Sequence, residues 1–179
     1  MLVTESAGRL RLVKNGTLTP EPLWEVPPPG GRDVLHGVVL HPDFAQNRWV
    51  YVSYVKRKDM MLTVAVGRGG LDGNRLLDVG ELFVADAWET AANALNGRMI
   101  FGPDRTLYLT IGDRDRLVLT DDNSIRMRAQ SLSDHVGKIL RLTDSGGAPK
   151  DNPFVGRADA RPEIFSYGHR NPIGLALHP

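Results

Sequence analysis

Arg170 and Asn171 stand side by side in Ser166-Tyr167-Gly168-His169-Arg170-Asn171-Pro172-Ile173-Gly174-Leu175-Ala176-Leu177-His178-Pro179. A guanidinium offers a rigid fork of donors and a carboxamide both donates and accepts, so the pair suits a flat ligand bearing carboxylates or carbonyls. Pro172 biases Asn171 toward extended backbone and leads into a short apolar run, as a loop does when it delivers side chains to the mouth of a buried strand. A third candidate, the carboxylate of Asp113, follows the apolar run Leu107-Tyr108-Leu109-Thr110-Ile111 after Gly112. The plainer reading gives Arg170 a local salt bridge and His169 a packed, satisfied ring. The elements that carry these residues decide between the two.

Those elements are strands. The apolar stretches are short, rich in Val, Leu, Ile and Tyr, and punctuated by Gly, Pro, Asp and Asn, without a capped helix of three turns; segments 86–94 and 117–132 have room for a short one. Strands are expected over 1–5, 9–14, 22–26, 36–41, 48–55, 62–67, 80–85, 98–102, 106–111, 137–142, 162–167 and 173–178. A repeat runs through them. Val38-Val39-Leu40-His41-Pro42-Asp43-Phe44, then Trp49-Val50-Tyr51-Val52-Ser53, matches Met99-Ile100-Phe101-Gly102-Pro103-Asp104, then Leu107-Tyr108-Leu109-Thr110, and a third copy begins at Leu175-Ala176-Leu177-His178-Pro179. The prolines at 42, 103 and 179 lie 61 and 76 residues apart, long for one propeller blade but consistent with blades carrying long loops. A sandwich of ordinary hairpins explains the recurrence less well.

The expected fold is therefore all-β, a β-propeller of four-stranded antiparallel blades, with about three blades present of six, in a single domain over 1–179. With strands lettered A to D outward from the channel, 1–26 supplies B to D of a first blade, 36–85 a second, 98–167 a third, and 173–178 strand A of a fourth. Because A and B form a hairpin, Arg32-Asp33, the run from Asn93 to Arg98, Gly112-Asp113-Arg114 and His169-Arg170-Asn171 are expected at one rim. A channel mouth lined by Arg, Asn and Asp is a small-molecule site by default.

Composition narrows the partners. The 179 residues carry 22 Lys and Arg against 21 Asp and Glu, a net charge of +1, which implies attraction to neither nucleic acid nor a membrane surface. With no cysteine, thiol nucleophiles, thiolate metal sites and disulfides are all absent. No run is long enough to span a bilayer, and Met1-Leu2-Val3-Thr4-Glu5 lacks the form of a signal peptide, so the sequence as written is expected to stay in the cytoplasm.

Several motifs carry a family resemblance: Leu40-His41-Pro42-Asp43-Phe44, Gly97-Arg98-Met99-Ile100-Phe101-Gly102-Pro103-Asp104, Ile111-Gly112-Asp113, His135-Val136-Gly137-Lys138-Ile139-Leu140-Arg141-Leu142, Lys150-Asp151-Asn152-Pro153-Phe154 and Tyr167-Gly168-His169-Arg170-Asn171-Pro172. In these the chain resembles the glucose/sorbosone dehydrogenase family, soluble quinoproteins that use pyrroloquinoline quinone (PQQ). The resemblance implies a six-bladed propeller with PQQ on the channel axis and calcium holding it, oxidising an aldose sugar at C1 to a lactone. Family members are typically periplasmic or secreted. Carried over residue by residue, Arg170 and Asn171 match a pair that contacts the PQQ, and Asp113 an acid beside the catalytic base.

The base itself is replaced. Ala94 holds the position of the family's catalytic histidine, Asn93 that of an acid often found before it, and Arg32 that of a nearby glutamine. Alanine cannot take a proton. His36, the nearest substitute, is expected in a strand core. No metal ligands are assigned here, since the family's calcium and remaining PQQ contacts belong to later blades. A second reading is accordingly a non-catalytic propeller fragment that binds a ligand or partner, including a second copy that closes a six-bladed ring. A calcium-dependent sugar lactonase ranks third. Arg114, Arg116, Arg126 and Arg128, among Asp113, Asp115, Asp121 and Asp122, are expected to form a solvated loop. Trp49, Tyr51, Phe101 and Tyr108 are expected in blade packing, His135 fits either role, and Lys150-Asp151-Asn152-Pro153 reads as a turn with side chains folded onto local backbone.

Overall fold

Short alternating segments become short strands when each finds an antiparallel neighbour. The computed structural model describes residues 1–26, 35–90, 95–114 and 127–178. A first sheet contains β1 (Leu2–Thr4), β2 (Arg9–Lys14), β3 (Thr17–Leu18) and β4 (Trp24–Glu25). Strand β3 pairs with Val13 and Lys14 and β4 with Arg9 and Leu10, so the two continue one another along a single edge of β2. The expected strand over 22–26 is the second of these pieces. Pro20 and Pro22 lie between them and cannot donate to a ladder.

The second sheet runs β5 (Leu35–Leu40), β6 (Trp49–Lys58), β7 (Met61–Asp72) and β8 (Arg75–Val84) in chain order. A single helical turn, α1 (Phe44–Asn47), joins β5 to β6, closed by the left-handed Arg48, whose N–H bonds to the Phe44 carbonyl. Here one expectation is corrected: 68–79, taken as loop, extends both β7 and β8. Gly67-Arg68-Gly69-Gly70 has the composition of a loop, yet it sits at two register shifts, and a Cβ on Gly69 would lie 2.7 Å from the Leu77 carbonyl oxygen. Glycine there permits close approach within a sheet.

The third sheet orders β9 (Met99–Phe101), β10 (Leu107–Ile111), β11 (Lys138–Leu142) and β12 (Ile164–Tyr167), again with neighbours adjacent in the chain. Every named pairing is antiparallel. Mostly strand, in antiparallel four-stranded sheets, the architecture is that of a propeller-like fold.

Two cores bind the sheets together, and β6 serves both. Its even members Val50 and Val52 pack with Leu10, Leu23, Leu35 and Leu76 between the first and second sheets, while Tyr51 turns to the opposite side with Val64, Val66, Leu109, Ile111, Leu140 and Leu142. A strand buried on both faces explains why Val50-Tyr51-Val52 reads as an unbroken apolar run. Trp49 and Phe101 pack against the second core as expected, and Tyr108 meets Phe165 edge-on at 5.2 Å. Residues 173–178, an expected strand, carry no strand pairing, and Ile173 and Leu177 are exposed. An extended segment counts as a strand only when a neighbour takes its N–H and C=O groups.

Candidate functional site

Ladder register puts the start of β9, the end of β10, the start of β11 and the end of β12 at one end of the third sheet. Beyond the strands, backbone bonds continue the contact. Thr110 N–H donates to the Arg98 carbonyl at 3.0 Å, Gly137 N–H to Gly112 at 2.9 Å, His169 N–H to Gly137 at 3.0 Å, and Asp113 N–H to Arg170 at 2.8 Å. Asp113 and Arg170 are thus joined directly, through main chain. Asp113 is buried, whereas Arg170 and Asn171 are exposed.

From the second sheet, Ser53 Oγ donates to the Gly97 carbonyl, and Arg98 Nη1 donates to the His36 carbonyl at 3.3 Å. Gly97, at φ +116°, brings its Cα so close that a Cβ would lie 3.2 Å from that of His36. His36 lies in strand β5 as expected, but it borders this rim and is half-buried and so is not a core residue. Ala94, Asn93, Arg32 and Asp33 lie outside the described residues.

The cations below the rim overturn the expectation of a solvated arginine loop. Arg114 is fully buried in a left-handed backbone conformation, φ +61°. It donates from Nε to the Ala87 carbonyl at 3.3 Å and from Nη2 to Leu62 at 3.2 Å, tying the end of β10 to the second sheet. Burial pulls its pKa down to about 10. Arg128 is half-buried and paired with Glu89 at 2.6 Å and Asp134 at 2.9 Å. Charged loops are solvated by default, but a long side chain with carbonyls to reach can fold inward instead. Asp115, Arg116, Asp121, Asp122 and Arg126 lie outside the described residues.

Lys138 is also fully buried, its Nζ donating to the carbonyls of Arg128 and Ala129, both at 3.1 Å, and of Val136. Burial lowers its pKa to about 8. His169 is held below its ordinary value by burial and by the charge of Lys138, and its Nε2 lies 2.8 Å from Ser166 Oγ. The rim thus displays one guanidinium and one carboxamide above two buried cations, Arg114 and Lys138, that donate to main-chain carbonyls. Such a surface suits a planar anion.

A family model described as Glucose / Sorbosone dehydrogenase matches residues 1–179. The chain belongs to the glucose/sorbosone dehydrogenase family. It is 38% identical over 184 residues to the aldose sugar dehydrogenase YliI of Escherichia coli K12, covering all of this chain and 47% of that protein. Among solved structures, a glucose dehydrogenase superposes with a TM-score of 0.86 at 37% identity over 99% of this chain and 54% of its own. The PQQ-bound aldose sugar dehydrogenase of Streptomyces coelicolor gives 0.73 at 29% identity over 95% of this chain and 47% of its own. The chain spans about half the length of these relatives.

Other family motifs turn out to be supports. His135 Nδ1 accepts from Asp86 N–H at 2.9 Å, which leaves the ring proton on Nε2, facing Glu163 at 3.3 Å; this histidine joins the second and third sheets. The Lys150–Pro153 turn forms, but its side chains reach away from local backbone: Asn152 Nδ2 donates to the carbonyls of Arg141 and Pro162, and Asp151 binds Arg141. Among the described residues, no group of three or more His, Asp or Glu is placed to hold a metal, and no helix is long and apolar enough to cross a membrane. Sequence reasoning missed Lys138, yet a signal was there: at period two it shares a face with Leu140 and Leu142, the face that packs inward.

Proposed function

We propose that this chain is a portion of a PQQ-dependent aldose dehydrogenase propeller and supplies one wall of its cofactor site. The observation that carries the reading is the 2.8 Å bond from Asp113 N–H to the Arg170 carbonyl, which unites two family-matched positions at one rim. PQQ is a flat quinone bearing carboxylates, and the exposed donors at this rim fit one edge of it. Arg170 would take a carboxylate in its fork and Asn171 a carbonyl or carboxylate, with Asp113 behind them as an acceptor. Bound PQQ supplies two-electron acceptor chemistry. The three sheets then count as blades of an expected six, the others coming from further chain or from a second copy, and sedimentation equilibrium separates these sources. Calcium, implied by the family, is assigned no ligand among these residues.

Ala94 limits the proposal to binding. A sugar hydroxyl at the rim would find no general base there, so this chain alone is expected to show no dye-linked oxidation of aldoses with PQQ and calcium supplied. Turnover above background would overturn that part. Binding is tested by calorimetric titration with PQQ. A charged hydrogen bond contributes roughly 1.5–3 kcal/mol, so Arg170→Ala should weaken binding by about tenfold or more. Arg157→Ala, on an exposed loop, is the control. Equal effects would return Arg170 to a local structural role, and a silent titration of the unaltered chain would remove the reading. A pure binding module shares this rim and the same absence of turnover in this chain alone.

A further inference from the structure

We infer that Lys138 is a positioning residue for the rim, holding the segment that carries Arg170 against the start of β11. An ammonium has three N–H donors, and here three carbonyls surround it: Arg128 and Ala129 at 3.1 Å, and Val136. The Ala129 carbonyl is shared, since it also accepts Gly168 N–H at 2.8 Å. One residue on, His169 N–H reaches Gly137, and the next residue gives its carbonyl to Asp113 N–H. The ammonium therefore sits at the root of a series of bonds ending at Arg170.

Packing leaves this series little slack. A Cβ on Gly137 would lie 2.5 Å from the Ala129 Cβ and 2.6 Å from the His169 carbonyl oxygen, so the loop before β11, the strand itself and the segment after β12 touch at one point. An apolar side chain in place of Lys138 would leave the Val136 carbonyl without a donor and the Arg128 and Ala129 carbonyls with one each, from Ser131 and Gly168 N–H, so the loop would lose its tie to the start of β11 and the 168–170 segment the support behind its own bond to Ala129. None of the ammonium's hydrogen bonds goes to a carboxylate. Its charge, offset in part by nearby Asp134, lies under the rim. The positional claim stands on the bonds alone; its consequence for ligand rests on the proposed PQQ reading.

Amide hydrogen exchange by NMR tests the positional claim without any ligand. In Lys138→Met, the amides of Asp113, Gly168 and His169 should exchange at least about tenfold faster, while those in the middle of the β10–β11 ladder keep their protection. The chain has no cysteine, so Lys138→Cys alkylated with bromoethylamine while unfolded, then refolded, rebuilds a lysine-like side chain at this position alone. It should restore the three amides. Unchanged exchange at Gly168, or a uniform loss throughout the ladder, overturns the inference. Should the variants fail to fold, native-state exchange of the unaltered chain in low urea replaces them: the three amides must open together, and separate openings overturn it. A PQQ titration of the same proteins then separates the two claims. Slower exchange regained without any PQQ binding leaves the positioning role intact and removes the cofactor reading. Binding weakened about tenfold in Lys138→Met and regained on alkylation supports both.

Discussion

At the Asp113–Arg170 end of the third sheet two fully buried cations donate to main-chain carbonyls, whereas at the end carrying the Pro-Asp turns arginines bond carboxylates directly. Arg114 and Lys138 belong to the first kind. Arg141 belongs to the second, bonding Asp104 at 2.7 Å and Asp151 at 2.9 Å, and Arg105 pairs with Asp43 from the neighbouring turn. The pKa directions follow. Hydrogen bonding to Asp151 raises Arg141, and burial lowers Arg114 and Lys138. At the turn end carboxylates bond the cation directly, whereas at the rim end Glu89 and Asp134 act on the buried cations as nearby charges and bond Arg128. This is why the two ends, built from the same strands, offer such different chemistry.

The largest effect should come from Arg114→Ala. Removing the guanidinium takes the side-chain donor from the Ala87 carbonyl, at roughly 1–3 kcal/mol, and one of two donors from the Leu62 carbonyl, which keeps Glu89 N–H, besides the space vacated. We expect a loss of roughly 3–5 kcal/mol, read as a lower urea midpoint. Arg141→Ala should cost less, about 1–2 kcal/mol, because Asp104 and Asp151 can turn to water. Equal losses at both positions would erase the distinction between the ends.

Titration should raise stability with pH at both ends, but in separate windows. Burial would raise the Asp104 carboxyl, but hydrogen bonds from Thr106 and Arg141 outweigh it and hold it below the usual range, and the bond from Arg141 lowers Asp151 likewise. Stability from these groups is present above the ordinary carboxylate pKa and is lost as pH falls through their folded values. Arg141→Met should flatten that acid limb. Lys138 acts with the same sign in an alkaline window: between about 8, its folded value, and 10.5, its ordinary one, the unfolded chain holds a proton that the folded chain has shed. Stability should therefore rise with pH across this window, relative to Lys138→Met. A difference that falls instead would mean that the ammonium is not desolvated.

How much of this the sequence discloses depends on whether one residue or a neighbour decides the outcome. The third sheet is legible almost to the residue, because Met99–Phe101 and Leu107–Ile111 each end at a glycine and Lys138–Leu142 begins just after one. The extensions of β7 and β8 are not, since Gly69 serves an approach to Leu77 that only the folded sheet contains. The same limit applies at the site. Gly-His-Arg-Asn is visible as a ligand loop by residue type, but Arg114 reads as one charge in a charged run until Leu62 and Ala87 arrive from 25 or more residues away.

The smallest effect, and the sharpest comparison, concerns two arginines in left-handed backbone, Arg105 at φ +66° and Arg114 at φ +61°. Glycine relieves a left-handed residue of roughly 1–2 kcal/mol, less about 0.4–1 kcal/mol for the freedom it gains when unfolded. At Arg105 the side chain forms one exposed ion pair with Asp43, typically about 0.2–1 kcal/mol. Relief and loss nearly cancel, so Arg105→Gly should leave the urea midpoint almost unmoved, while Arg105→Ala, which loses the pair and keeps the strain, should fall slightly below it. At Arg114 the same backbone relief is set against a fully buried guanidinium and its carbonyl partners. There both Gly and Ala should be strongly destabilising, because the side-chain loss exceeds anything the backbone can return. Measured side by side, the four variants decide which contribution governs each end. A marked loss in Arg105→Gly would show that its pair with Asp43 does more than join two exposed turns, and a harmless Arg114→Gly would show that the rim does not depend on its buried cation.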